Sequence, residues 1–385
     1  MWAEDGREFV AAAVRKGSLA PLLTGYSGYA HVVPRLLAAI VAAVPIEDAA
    51  AVTAVLACVV TASLAVFCAR ASAGHLTMPA SRVAYALAFA LLPVAAVEAL
   101  GNLANLHWFL FVAAFWALLW RPATWIGVVT AAVVVALAVL SDPLVLLLAP
   151  LALWRVVTLP ALRDRAVVIA LAAAATVQLL VVVRSQRPTG EVAFGSLPGL
   201  FAERIGLGSM LGVKPTTHFV SAAGTTVAIA LGIAIVIALT WVAGKTAATG
   251  PAFAVTTVVV ASGLFLACVA IRGGSHELVN GVVAGGSRYA VAPTLILLAP
   301  IIATLERSRG SVRAGAIVVA LVVCVVDLRP YNLRSGDLSW ARGVATARTQ
   351  CRHGFDPAEL PTLPLTPNGE WEMELPCSYV QPSEP

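Results

Sequence analysis

The sequence predicts an all-α polytopic membrane protein, and two observations carry that prediction. Of the 385 residues, 60% are hydrophobic and 12% charged, against about 45–50% and about 25% in a soluble domain. The apolar residues also gather into Ala/Val/Leu runs of membrane-spanning length, with Lys and Arg set between them. Three parts follow: residues 1–47, an outer loop with short interfacial helices; 48–327, the transmembrane domain; and 328–385, a small external appendage with some β-structure. The formal net charge of +5 does not form a basic stripe interleaved with aromatics, so nucleic acid is excluded as a partner. The expected partner is the lipid bilayer.

The opening stretch, Met1-Trp2-Ala3-Glu4-Asp5-Gly6-Arg7-Glu8-Phe9, is polar. Glu8–Arg15 reads as a short amphipathic helix. Pro21, Gly25, Gly28 and Pro34 then break the chain, and Arg35–Val44 resumes an apolar helix too short to span. Ten spans are predicted after it, at 49–69, 83–100, 104–120, 124–140, 144–159, 165–184, 222–243, 252–271, 289–305 and 313–327. The fifth is short and carries Pro150. Within the long loop 185–221, Leu197–Val213 reads as a surface helix interrupted by glycines.

Sidedness follows from the basic residues. Arg70, Arg82, Arg121, Arg155, Arg163, Arg165, Lys245, Arg307, Arg309 and Arg313 fall in one set of loops. The turns 101–103 and 141–143 carry none. The positive-inside rule makes the first set cytoplasmic, leaving the opening loop, the 185–221 and 272–288 loops and the tail on the extracytoplasmic side of the cell membrane. An outside start at a polar segment has no means of translocation, so a further spanning helix is expected ahead of Met1.

In the tail, Trp371, Met373 and Leu375 alternate with Glu372 and Glu374, a strand-like pattern. Cys58, Cys68, Cys268 and Cys324 lie in apolar runs and read as small core residues. Cys351 and Cys377 lie in the polar tail. A disulfide between them would stabilise by roughly 3–4 kcal/mol and fits an oxidising compartment; two unrelated thiols is the alternative.

Candidate chemistry lies at the outer face. Its acids are Glu4, Asp5, Glu8, Glu47, Asp48, Glu98, Asp142, Glu191, Glu203 and Glu277. Ionisable groups at membrane depth are costly and default to functional hypotheses. Glu98, Asn102, Asn105 and His107 form a polar cluster between two spans, open also to the plainer reading of an end-of-helix carboxylate with a capping Asn. Asp5, or Glu4 beside it, can serve as a general base. Taken alone, the spacing of Asp5 and Glu8 favours a helix cap. Arg35 and Arg288 are the outer arginines nearest to spans, suited to phosphate or, with Tyr289, to interfacial anchoring. Arg184, Arg187, Arg204 and Lys214 add positive charge to that face. His31, His107 and His276 lack ligand spacing, so a divalent metal is not indicated, and no nucleotide fingerprint is present.

An acid in the first outer loop, the stretch Gly25-Tyr26-Ser27-Gly28-Tyr29 leading to Pro34-Arg35, Glu98 followed by Asn105-Leu106-His107-Trp108, and Arg288-Tyr289-Ala290-Val291-Ala292-Pro293 together resemble the GT-C superfamily of membrane glycosyltransferases. The resemblance is to the bacterial, actinobacterial-type branch that uses polyprenyl-phosphate sugars, and it covers roughly 1–327. It implies transfer of a sugar from a polyprenyl-phosphate donor to a glycan, lipid or protein acceptor, with inversion. Asp5 is then the acceptor-activating carboxylate with Glu4 beside it, Glu98 the second acid, and Arg288 the residue near the donor phosphate, with Arg35, His31, Asn102, His107 and Tyr289 around the substrate. It also implies a span ahead of Asp5. A transporter or flippase for lipid-linked saccharides would want ionisable residues in mid-span, where this chain has almost none. A scaffold subunit, with Asp5 a mere cap, is the third reading.

Overall fold

The computed structural model describes residues 1–17, 19–159, 161–185, 195, 197–246, 250–272, 286–327, 339–352, 360–366 and 371–381. The opening helix runs through π-helical turns at Asp5–Val10 into Ala11–Lys16. There follow α1 (Val32–Val41), α2 (Ile46–Ala71), α3 (Pro79–Leu91), α4 (Pro93–Glu98), α5 (Leu106–Leu119), α6 (Trp125–Ser141), α7 (Ala149–Thr158), α8 (Leu162–Arg184), α9 (Val213–Ala223), α10 (Thr225–Thr246), α11 (Gly250–Arg272), α12 (Arg288–Glu306), α13 (Gly310–Asp327) and α14 (Trp340–Arg352). Strands β1 (Thr362–Leu365) and β2 (Trp371–Glu374) pair antiparallel, Leu363 opposite Met373.

Helix α5 is the axis of the bundle. It is apolar all round, and every residue from Leu106 to Leu118 is buried; a helix without a polar face belongs either in lipid or in a protein core, and this one is in the core. Tyr85 ties three helices there, donating to the Leu295 carbonyl at 3.0 Å and accepting from Trp116 Nε1 at 2.9 Å. The outer helices turn Val55, Val59 and Val66 of α2, Ile169 and Val183 of α8, and Ile237 and Trp241 of α10 outward, as lipid-facing surfaces do.

The ten predicted spans are all helical, but six helices among the described residues are long and apolar enough to cross a bilayer: Ile46–Gly74, Pro79–Glu98, Leu162–Arg184, Thr225–Lys245, Gly250–Ala270 and Arg288–Glu306. The segments at 104–120, 124–140, 144–159 and 313–327 form shorter apolar helices. Helix α5, with 14 residues, is about 21 Å long against a hydrocarbon core of about 30 Å. Its enclosure by protein removes the need to match the lipid. The 144–159 segment is split into 3₁₀ turns at Pro143–Leu148 and the α-helix Ala149–Thr158.

The predicted surface helix at Leu197–Val213 is instead inserted into the bundle. Its helical pieces Leu197–Phe201, Ala202–Leu207 and Gly208–Leu211 bury Leu200, Arg204, Ile205 and Leu207. A Cβ on Gly206 would lie 2.6 Å from the Gly232 backbone of α10, and one on Gly232 would collide with the Ala202 carbonyl. Gly206, one of the glycines that read as helix interruptions, is where two backbones touch, the small-residue contact that joins helices in lipid.

Hydrogen bonds sort the polar turns into two ends. At one, the opening helix, the 99–105 turn, Ser141, Gln178, the start of α12 and the tail meet. At the other, Arg155 joins the end of α5 to the start of α8, and Glu306 joins the end of α12 to the start of α3. The tail carries the Cys351–Cys377 disulfide, with its Cα atoms 5.7 Å apart. The alternating 371–375 segment is one strand of the hairpin.

Candidate active site

The π-helical turns gather Asp5, Gly6, Phe9 and Val10 on the buried side of the opening helix and leave Arg7 in solvent. Such widened turns recur at functional sites. Asp5 has no exposed surface. It does not cap its own helix: Oδ2 accepts from the Leu103 amide at 2.9 Å and Oδ1 from the Ala104 amide at 2.8 Å. Burial pushes its carboxyl up to about 7, the two amide bonds pulling it back only in part.

The turn that receives Asp5 is built by its asparagines. Gly101 adopts φ +70°, the left-handed conformation glycine allows without strain. The Asn102 and Asn105 side chains both donate through Nδ2 to the Glu98 carbonyl, the Asn105 backbone N–H donates to Asn102 Oδ1 at 2.9 Å, and Trp108 Nε1 donates to Asn105 Oδ1 at 3.2 Å. Asn102 thus serves the turn's own backbone.

Glu98, also buried, closes the start of α12. Its carboxylate accepts from the Gly286 amide at 3.3 Å, the Arg288 amide at 3.1 Å and the Ser287 hydroxyl at 3.4 Å. A carboxylate at a helix N-terminus meets both orphan amides and the positive end of the dipole. Arg288 Nη1 lies 3.9 Å from Glu98 Oε1, and its guanidinium lies 5.2 Å from the Tyr289 ring centroid. Tyr289 meets Trp108 edge-on at 5.6 Å. Glu4, half-buried, acts electrostatically on Arg288 as well.

His107 lies on the other side of the turn. Its Nδ1 donates to the Ala104 carbonyl at 2.6 Å, which requires a proton on that nitrogen, and Nε2 lies 3.7 Å from Asp142 Oδ2. Asp142 was one acid in a longer series in the sequence; the signal that could have singled it out is its place before Pro143, where its Oδ1 caps the 3₁₀ turns through the Leu144 amide at 2.8 Å. His31 packs among Phe9, Tyr26 and Tyr29 with its ring 6.1 Å from that of His107. Arg35 is buried beneath Phe9, its guanidinium 5.4 Å from the ring. Its Nε has no hydrogen-bond partner among the described residues. Burial pulls this guanidinium down from its ordinary value, and the field of Glu8 opposes that shift.

Two sequence-distant anchors set the opening loop on this end. Ala30 exchanges two hydrogen bonds with the Gln178 side chain at 3.2 and 3.3 Å, and the Val33 amide donates to Ser141 Oγ at 3.1 Å. Nothing in the sequence marked either residue. Glu191, Glu277, His276 and Arg187 lie outside the described residues. Among the described residues no group of three His, Cys, Asp or Glu side chains could hold a metal ion. The apolar groove of about 520 Å³ lined by Ile237, Trp241 and Pro251 lies between α10 and α11, apart from these acids. No family model, curated protein or solved structure matches the chain.

Proposed function

We propose that the chain is a membrane glycosyltransferase of GT-C type, moving a sugar from a polyprenyl-phosphate donor to a glycan, lipid or protein acceptor on the outer face of the cytoplasmic membrane. In this reading the four shorter apolar helices complete a ten-span layout. The observation that carries it is the buried Asp5 carboxyl, shifted to about 7, held on a turn that also carries the Glu98–Arg288 pair and His107. A base near neutrality is the one best matched to deprotonating a hydroxyl at physiological pH.

Once the 99–105 turn opens to admit the acceptor, Asp5 takes the proton of its hydroxyl as that oxygen attacks the anomeric carbon. The bond to the donor phosphate breaks on the opposite face, giving inversion, and polyprenyl phosphate leaves with the electron pair. Arg288, oriented by Glu98, and the buried Arg35 offer positive charge to that phosphate. Glu4 lies at the approach. His31, His107 and Tyr289 shape the surroundings.

The test is transfer from a panel of radiolabelled polyprenyl-phosphate sugars in reconstituted membranes. Asp5→Asn is expected to lose about 10²–10⁴-fold in rate, the usual contribution of a general base, while Glu4→Gln retains transfer at a reduced level. Full activity in both Asp5→Asn and Glu98→Gln overturns the site assignment.

A further inference from the structure

The C-terminal appendage touches the same helix that carries Asp5. Thr366 sits at the hairpin end of β1. Its carbonyl accepts from the Ala3 amide at 2.8 Å, and its amide donates to the Met1 carbonyl at 3.0 Å. Trp2 and Thr366 thereby form a parallel bridge three residues before Asp5. Leu365 lies against the next turn, where a Cβ on Gly6 would come within 2.7 Å of its methyl group. Arg7 lies 5.2 Å over the Trp371 ring, and Arg15 pairs with Glu374 at 3.5 Å. The hairpin therefore grips the opening segment at points from Met1 to Arg15, on either side of Asp5 in sequence.

The other side of the appendage is fastened to the bundle. Trp340 Nε1 donates to the Ile46 carbonyl at 2.8 Å, Arg348 pairs with Glu47, and the Tyr379 hydroxyl donates toward the Val41 and Val44 carbonyls at 3.3 and 3.1 Å. Within the appendage, Arg348 Nε donates to the Val380 carbonyl at 3.1 Å, and Cys351–Cys377 joins α14 to the turn at Cys377–Val380.

We infer that the appendage is a clamp that positions the acid site, with Leu365 and Thr366 as positioning residues for Asp5. The opening helix is too short to persist by itself in water, and keeping Asp5 dry is unfavourable. A helix that must hold a buried carboxylate on two amides needs further contacts to stay in place, and the hairpin supplies them. The bonding runs from Ile46 through α14 and the disulfide, and from Val44 through Tyr379, to the Cys377–Val380 turn that follows β2. It then crosses the β1–β2 pairing to Thr366 and from there reaches Ala3, two residues before Asp5. Opening the disulfide or weakening the hairpin contact should free the amides of Leu103 and Ala104. The activity part of this inference rests on the reading of Asp5 as the general base; the structural part does not.

Backbone hydrogen exchange of the full chain in lipid nanodiscs tests it. In Leu365→Ala/Trp371→Ala, peptides covering 1–10 and 99–106 are expected to exchange about tenfold faster, as for a locally opened unit, while a peptide within 106–119 keeps its protection. Wild-type protection of 99–106 beside a loosened hairpin overturns the clamp. If 106–119 also loses protection, the variant is misfolded, and the wild-type chain with and without a phosphine reductant decides by the same two peptides. Faster exchange at 99–106 with unaltered sugar transfer upholds the clamp and removes Asp5 from the chemistry instead.

Discussion

The two ends of the bundle both bury charge, and they use it differently. At the end away from the opening helix, Arg155 is fully buried and its donors are taken up by helix ends: the Leu118 and Trp120 carbonyls, each at 2.6 Å, and Asp164 through its carbonyl at 3.0 Å and its carboxylate at 3.4 Å. Glu306 likewise accepts from Thr77 and Met78 at the start of α3. These groups tie two neighbouring elements each. At the opposite end Asp5, Glu98, Asp142, His31, His107, Arg35 and Arg288 converge on one short turn and its flanks, from segments up to about 280 residues apart in sequence. Buried charge alone does not distinguish a strut from a candidate site; convergence of groups from distant segments is what sets this end apart.

The contrast can be broken or sharpened by substitution. The largest expected effect is on the strut: Arg155→Met should lower stability by about 3–5 kcal/mol, as when one partner of a buried pair is removed. It should leave the turnover of the folded fraction unchanged, read by thermal unfolding in detergent beside the transfer assay. A matching loss of turnover would erase the distinction between the ends. Glu98→Gln should reduce stability by about 1.5–3 kcal/mol through its charged hydrogen bonds to the start of α12, and should also weaken donor binding because Arg288 loses its partner, seen as a raised KM.

Asp5 gives the third prediction. Its folded-state value of about 7 lies above the ordinary 3.8. The base is then charged above pH 7, and transfer should fall about tenfold per pH unit below it. The same shift means the folded chain binds more protons than the unfolded chain between about pH 4 and 7, so this group's contribution to stability declines as pH rises through that window. Asp5→Asn should remove both trends; persistence of the stability trend in that variant assigns it to another group. The smallest effect is at Glu306→Gln, about 1 kcal/mol for a partly exposed cap on the start of α3, with no change in the pH profile of transfer.

How much was legible depended on the range of the interaction. The pairing of strand-like 371–375 with its neighbour and the Cys351–Cys377 bond were readable because alternation and two thiols in a polar tail are local signs. The burial of Leu197–Leu211 was not, since glycines look alike whether they break a helix or admit a second backbone; the partner, Gly232, is on another helix. Asp5 looked like a cap because Glu8 stands three residues later. Its actual partners, Leu103 and Ala104, offer backbone amides, which leave no trace in side-chain identity.

Composition and the periodic spacing of apolar runs by themselves determined the helical membrane class, the positions of the apolar helices and the polar character of both termini, because the bilayer imposes those on any chain. Tertiary structure alone decided which six helices among the described residues reach spanning length, that short α5 is enclosed by its neighbours, and that the hairpin grips the helix carrying Asp5. Those outcomes rest on backbone-to-backbone approach and on amide donors, which every residue but proline possesses, so the letters of the sequence do not encode them one position at a time.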